Sequence, residues 1–190
     1  MRRTSSSIRI SASPVAIDPL IVGIARLRRQ PGATVHTIVA APFDPDGSLA
    51  PTSPGESYVP DGDDVAFDGV LECIPNGVVV RGIVTSRWRG ECRRCAKVVG
   101  GDLSVALSER YLETAQPGDD EAYPLDSDLL DLGPALRDAI VLELPLAPLC
   151  EEDCKGLCGQ CGADLNDGPC SCEPPTDPRW ARLNVLRTPE

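Results

Sequence analysis

Eight of the nine cysteines in this 190-residue chain stand at spacings that suit metal ligation. Cys92 and Cys95 form one Cys-x-x-Cys pair in GECRRCAK. Cys158 and Cys161 form another, followed at once by Gly162, and Cys170 and Cys172 close the segment after a Gly168-Pro169 turn. Two thiolates two residues apart supply half of a tetrahedral Zn²⁺ shell, and a glycine after the pair lets the backbone fold back so that its N–H groups face the sulfurs. Two four-cysteine sites follow: Cys92, Cys95, Cys150 and Cys154 in one, and Cys158, Cys161, Cys170 and Cys172 in the other. Spacing leaves one point open, because Cys150, Cys154 and Cys158 could trade places between the two shells.

Other thiol chemistries fit less well. A disulfide framework belongs to an oxidising compartment, whereas nine is odd and MRRTSSSIRI lacks the apolar run of a secretory signal. A thioredoxin-like dithiol sits between a strand and a helix, and Cys92 and Cys95 are predicted between two strands. Cys73 is left over and falls on the apolar face of a predicted strand, as a core thiol. The single histidine, His36, has no carboxylate or nucleophile signature near it and reads as an ordinary strand residue.

The elements that must carry these residues are α+β in class: a small antiparallel β-meander with a packed helix, a zinc knuckle and a C-terminal zinc-ribbon-like module. Residues 1–14 are expected to be a disordered tail, 15–149 the α+β domain and 150–190 the cysteine-rich module with a terminal helix. Ile21, Val22 and Ile24 suit a strand, followed by a helical turn up to Pro31-Gly32, and ATVHTIVAA suits a second strand. Residues 42–64 are dense in Pro, Gly, Ser and Asp and read as a loop. Asn76-Gly77 signals a two-residue hairpin turn, which would set Cys73 against Val80, Glu72 against Arg81 and Leu71 against Gly82. Val65, Phe67, Leu71, Cys73, Val80, Val84 and Trp88 would then share one face. Leu103, Val105, Leu107 and Tyr111 alternate along a further strand, and 113–128 reads as an acidic loop. Gly133-Pro134 opens a helix that runs to Leu144, before Pro145, with Leu132, Ala135, Leu136, Ala139 and Ile140 on one stripe. A last helix is expected from Asp177-Pro178, carrying Trp180, Leu183 and Leu186.

Charge is uneven. The formal total is −11, and each Zn²⁺ held by four thiolates adds a further −2. Residues 41–80 carry eight acids and no Lys or Arg, whereas Arg81, Arg87, Arg89, Arg93, Arg94 and Lys97 crowd the knuckle against Glu91 alone. Such a chain is no general nucleic-acid binder. Its acidic bulk fits a basic protein partner, and Arg87, Arg89, Arg93, Arg94 and Lys97 are its one candidate phosphate contact. The alternative is that these cations offset the zinc–thiolate charge and pair with nearby acids. No stretch is long enough to span a membrane, and a reducing cytoplasm is the expected location.

GECRRCAK followed by a strand, then LGPALRDAIVLELPLAPLC, GLCGQCGADLNDGPCSC and DPRWARL, resembles the YceD family, the large ribosomal RNA subunit accumulation proteins of bacteria and plastids. The resemblance runs from about Asp18 to Leu186, and its most specific parts are the Glu-Cys-x-Arg-Cys knuckle and the helix ending in Leu-Pro-x-x-Pro. It implies a role in 23S rRNA accumulation and large-subunit assembly with no catalytic activity assigned; with no nucleophile–base–acid set or open metal site in the chain, a non-enzymatic factor is expected, with a precursor particle, rRNA or a basic ribosomal protein as partner and no small-molecule substrate. It also implies a metal site on Cys92, Cys95, Cys150 and Cys154, with the second site as an added brace. A zinc-ribbon accessory protein of RNA polymerase and a thiol redox protein are the alternatives.

Overall fold

A computed structural model describes residues 18–43, 57–114, 122–172 and 179. The expected tail 1–14 and terminal helix, with Trp180, Leu183 and Leu186, lie outside the described residues, as do parts of both expected loops.

In chain order the elements are β1 (Ile21–Gly23), a 3-10 turn (Leu27–Arg29), β2 (Thr34–Pro42), β3 (Ser57–Tyr58), β4 (Asp64–Ile74), β5 (Gly77–Glu91), β6 (Val98–Leu112), β7 (Tyr123–Pro124), β8 (Leu129–Asp131) and α1 (Gly133–Glu143). One sheet has the order β2-β4-β5-β6-β7, with β3 paired to β5. The β2/β4 and β4/β5 pairs are antiparallel, and the short connection from β5 to β6 can only make a hairpin, since a parallel return needs a crossover of a dozen or more residues. The expected meander is therefore present, with the knuckle at its β5–β6 turn. The strand expected at Ile21–Ile24 is present as β1, but its antiparallel partner β8, the short β3 within the expected loop 42–64 and β7, which joins β6 in parallel, were absent from the sequence reading.

The hairpin register differs from expectation. Ile74 pairs with Gly77, Cys73 with Val78, Leu71 with Val80 and Gly69 with Gly82, so the turn residues are Pro75 and Asn76. Proline presets the backbone for the first of these positions. The slip moves each partner by two residues, which preserves side-chain parity. Val65, Phe67, Leu71, Cys73, Val80 and Val84 are accordingly buried together as expected, and Trp88 packs against them half-buried. Glu72 now lies opposite Val79, yet its carboxylate still reaches Arg81 diagonally, at 2.8 Å. The loops are also less empty than their composition suggested. Within 113–128, Tyr123 stacks on Tyr111 with ring centroids 5.2 Å apart and donates its hydroxyl hydrogen to Asp138 Oδ2 at 2.8 Å. Leu125, buried in the core, anchors the same stretch.

α1 follows the expected bounds. Asp131 Oδ1 accepts from Gly133 N at 2.9 Å at its start, and Leu132, Ala135, Leu136 and Ile140 are buried.

The chain divides into two compact units. The first comprises Met1–Pro54, Tyr58–Trp88 and Gly101–Leu144; the second comprises Gly55–Ser57, Arg89–Gly100 and Pro145–Glu190. The knuckle thus groups with the cysteine-rich segment, whereas the reading along the chain placed it within 15–149. The first unit holds the apolar core, built from the β4, β5 and β6 inner faces, Leu20, Ile24 and α1. The second is centred on Cys92, Cys95 and Cys154, with Val99, Leu149 and Cys150 packed around them.

Candidate metal centres

The structure assembles the eight cysteines into two groups of four, Cys92, Cys95, Cys150 and Cys154, and Cys158, Cys161, Cys170 and Cys172; within each, the sulfurs all lie within 4.8 Å of one another. This closes the point that spacing left open. In the first group Cys92 Sγ is 3.8 Å from Cys154 Sγ, and Cys95 Sγ is 3.5 Å from Cys150 Sγ. A tetrahedron with metal–sulfur bonds of about 2.3 Å has edges of about 3.8 Å, so the donors stand where a soft tetrahedral dication needs them. Each cluster can hold one metal ion.

Both Cys-x-x-Cys turns are built alike. Ala96 N donates to Cys92 O at 2.8 Å, and Gly162 N donates to Cys158 O at 2.9 Å. Cys92 N donates to Lys97 O, and Cys158 N to Ala163 O, each at 2.8 Å. In both, the residue after the second cysteine is left-handed: Ala96 at φ 58° and Gly162 at φ 72°. That conformation turns successive N–H groups toward the sulfurs.

The thiols respond accordingly. Burial would raise the Cys92 thiol, but N–H groups of Cys150, Arg94 and Cys95 directed at its sulfur prevail and hold it at about 6. The N–H groups of Cys161 and Gln160 hold Cys158 at about 6. Hydrogen bonding to Cys154, followed by burial, pushes Cys150 up to about 12. Cys161 and burial do the same to Cys172, again to about 12. Four thiolates cannot crowd together unaided, and a bound dication is what allows all four to ionise. The clusters differ in access: Cys92, Cys95 and Cys154 are buried, whereas Cys161 is exposed and the other three of its group are half-buried.

The basic residues around the knuckle divide. Arg94 Nη1 donates to Cys154 O at 2.8 Å and to Glu152 O at 3.2 Å, and Lys97 Nζ lies 2.7 Å from Asp164 Oδ2. Both sets of contacts lie within the second unit, and of these two cations only Lys97 meets an acid. All five candidate binding cations, Arg87, Arg89, Arg93, Arg94 and Lys97, are exposed. Cys73 is a buried free thiol, as expected; His36 is a strand residue of β2 as expected, but a carboxylate does stand beside it across the β2/β4 pair, Asp68 Oδ1 at 2.7 Å. Sequence reasoning overlooked Asp164 and Asn166, which bond to one another, Asn166 also to Cys154 of the first cluster. The only sequence signal for them is the Asp-x-Asn spacing typical of side chains that bond to nearby backbone.

Comparison with known sequences places this geometry. Residues 80–187 match the family described as "Large ribosomal RNA subunit accumulation protein YceD"; the expected start at Asp18 lies outside that match. An uncharacterized protein of Mycobacterium tuberculosis is 36% identical over 182 residues, covering 91% of this chain and 84% of the relative. One of Mycobacterium leprae is 31% identical over 197 residues, covering all of this chain and 88% of the relative. The chloroplastic "Large ribosomal RNA subunit accumulation protein YCED homolog 1" of Zea mays is 42% identical over 53 residues, covering 27% of this chain and 18% of the relative. No solved structure matches.

Proposed function

The chain belongs to the YceD family of large ribosomal RNA subunit accumulation proteins, and from that premise we propose that it is a non-enzymatic factor supporting the accumulation of 23S rRNA and the assembly of the large subunit. Two structural zinc ions hold its second unit. The observation that carries this reading is the pair of closed four-sulfur clusters. A catalytic zinc keeps an open position for water or substrate, whereas a shell filled by four cysteines is structural. Sulfur-rich donors select a soft tetrahedral ion, and cysteines kept as thiolates suit a reducing cytoplasm. Its partner on this reading is the large-subunit precursor particle, engaged through rRNA or a basic ribosomal protein. Of the five cations around the knuckle, Arg87, Arg89 and Arg93 are the ones proposed for an anionic contact. Among the described residues no helix is long and apolar enough to cross a membrane.

Depleting the protein from its host and measuring mature 23S against 16S rRNA tests the role. Selective loss of 23S rRNA is expected. Equal loss of both overturns the reading in favour of a transcription accessory protein. Metal analysis of purified protein should give two zinc ions per chain; one zinc together with a reversibly oxidised cysteine pair would point to a thiol redox protein instead.

A further inference from the structure

Between Cys161 and Cys170 the chain carries a single amide side chain, and it faces the other cluster. Asn166 Nδ2 donates to Cys154 Sγ at 3.4 Å. Every other polar group of that side chain is engaged: Oδ1 accepts from Lys155 N at 2.7 Å, and Nδ2 also donates to Asp164 Oδ1 at 2.7 Å. Asn166 N shares the same Asp164 oxygen at 2.9 Å. The other Asp164 oxygen meets Lys97 Nζ, two residues past Cys95, at 2.7 Å. An amide held at this many points cannot rotate away from the sulfur. Backbone ties run beside it: Leu157 N donates to Arg94 O at 3.0 Å and Leu165 N to Gly156 O at 2.9 Å. The loop closed by the second cluster therefore supplies an outer-shell donor to the first. Hydrogen bonds to an ionised acceptor are the stronger kind, and groups that orient metal ligands from outside the shell tune the affinity for the ion.

We infer that Asn166 couples the two metal centres: zinc in the second cluster fixes the loop that carries Asn166, and Asn166 holds the Cys154 thiolate in place for zinc in the first. The inference rests on the reading of both clusters as zinc sites. Coupling of this kind is reciprocal, so each ion raises the affinity for the other. Asn166 acts here as a positioning residue, not as a ligand.

The test uses the full-length zinc-loaded chain and follows two quantities: zinc content by native mass spectrometry, and the rate at which each cysteine is alkylated, mapped peptide by peptide in the presence of a chelator. Asn166→Asp keeps the acceptor oxygen for Lys155 N and removes the donor to Cys154. It should still bind two zinc ions, but alkylation of Cys92, Cys95, Cys150 and Cys154 should quicken on the order of 10-fold. Opening the second cluster with Cys170→Ser and Cys172→Ser should quicken the same four cysteines to a similar degree. Combining both changes should add little more, because they break one connection. Unchanged rates in Asn166→Asp, or effects that multiply in the combination, overturn the coupling while leaving the zinc reading intact. Absence of zinc from the wild-type chain overturns both. The wild-type protein provides a check free of any folding defect: modifying the exposed Cys161 must accelerate modification of Cys154, and independence of the two rates overturns the coupling.

Discussion

Ala96 and Gly162 occupy the same place in two copies of one turn, yet only one of them is the residue that the backbone favours there. At φ 58° the Ala96 Cβ crowds the neighbouring carbonyl, and the left-handed region costs a non-glycine residue about 1–2 kcal/mol. Glycine would remove that cost, while its freer unfolded chain gives back about 0.4–1 kcal/mol. Ala96→Gly is therefore expected to stabilise the zinc-loaded chain by about 0.5–1 kcal/mol, read as a higher midpoint in chemical denaturation; a lower midpoint would show that the Ala96 methyl group makes contacts worth more than the strain. The two turns also show what is legible in a sequence at this scale. Ligand chemistry is written in spacing, so all eight cysteines could be identified, and Gly162 could be read as a turn residue. Ala96 carries no such mark. Asn166 and Asp164 carry only the Asp-x-Asn spacing of side chains that bond to nearby backbone, which says nothing of a role outside a metal shell.

The β4–β5 hairpin shows the same limits among elements. Alternation along the strands predicted which residues face inward, since parity survives any even slip in register. It could not predict which register would win, because Asn76-Gly77 and Pro75-Asn76 are both acceptable turns. What favours the observed one is long-range. Gly69 and Gly82 lie directly opposite each other, and the Phe67 ring covers both; a Cβ added at Gly69 would come within 2.4 Å of the ring, and one at Gly82 within 2.6 Å. In the register expected from the turn alone, Gly82 would face Leu71 and this space would be lost. Gly82→Ala should therefore destabilise the first unit by about 1–3 kcal/mol through overpacking, seen as a lowered denaturation midpoint with zinc content unchanged. A neutral effect would mean that the ring and the β4 backbone, whose Asp68 carbonyl oxygen lies 2.4 Å from such a Cβ, both shift without loss. The two- and three-residue strands β3, β7 and β8 escaped the sequence reading for a simpler reason: they are too short to display a period of two. α1, with a four-position apolar stripe between Gly133-Pro134 and Pro145, was legible from end to end.

Across the whole molecule, the two units are stabilised by different means. The first has an apolar core in which Phe67, Leu71, Val80, Val84, Leu136 and Tyr111 are almost wholly buried, so its stability derives from packing. The buried hydrophobic cluster of the second unit consists of three cysteines with Val99, Leu149 and Cys150 around them, too little apolar surface to offset the entropy of ordering a loop-rich segment. Structural zinc bound by cysteines contributes on the order of 10 kcal/mol to folding in small peptides, enough to decide whether such a unit is folded. Stripping the metal with a strong chelator under reducing conditions should therefore act selectively. Followed by hydrogen exchange and mass spectrometry, amides in 89–100 and 145–172 should lose protection, while those in Val65–Ile74, Val78–Trp88 and Leu103–Leu112 keep theirs, and restoring zinc should reverse the change. Simultaneous loss of protection in both sets would mean that the first unit depends on the metal centres for its own stability. Full protection in 89–100 and 145–172 after the metal has gone would mean that the hydrogen bonds of the two turns, with the Lys97–Asp164 ion pair, suffice to hold the clusters closed.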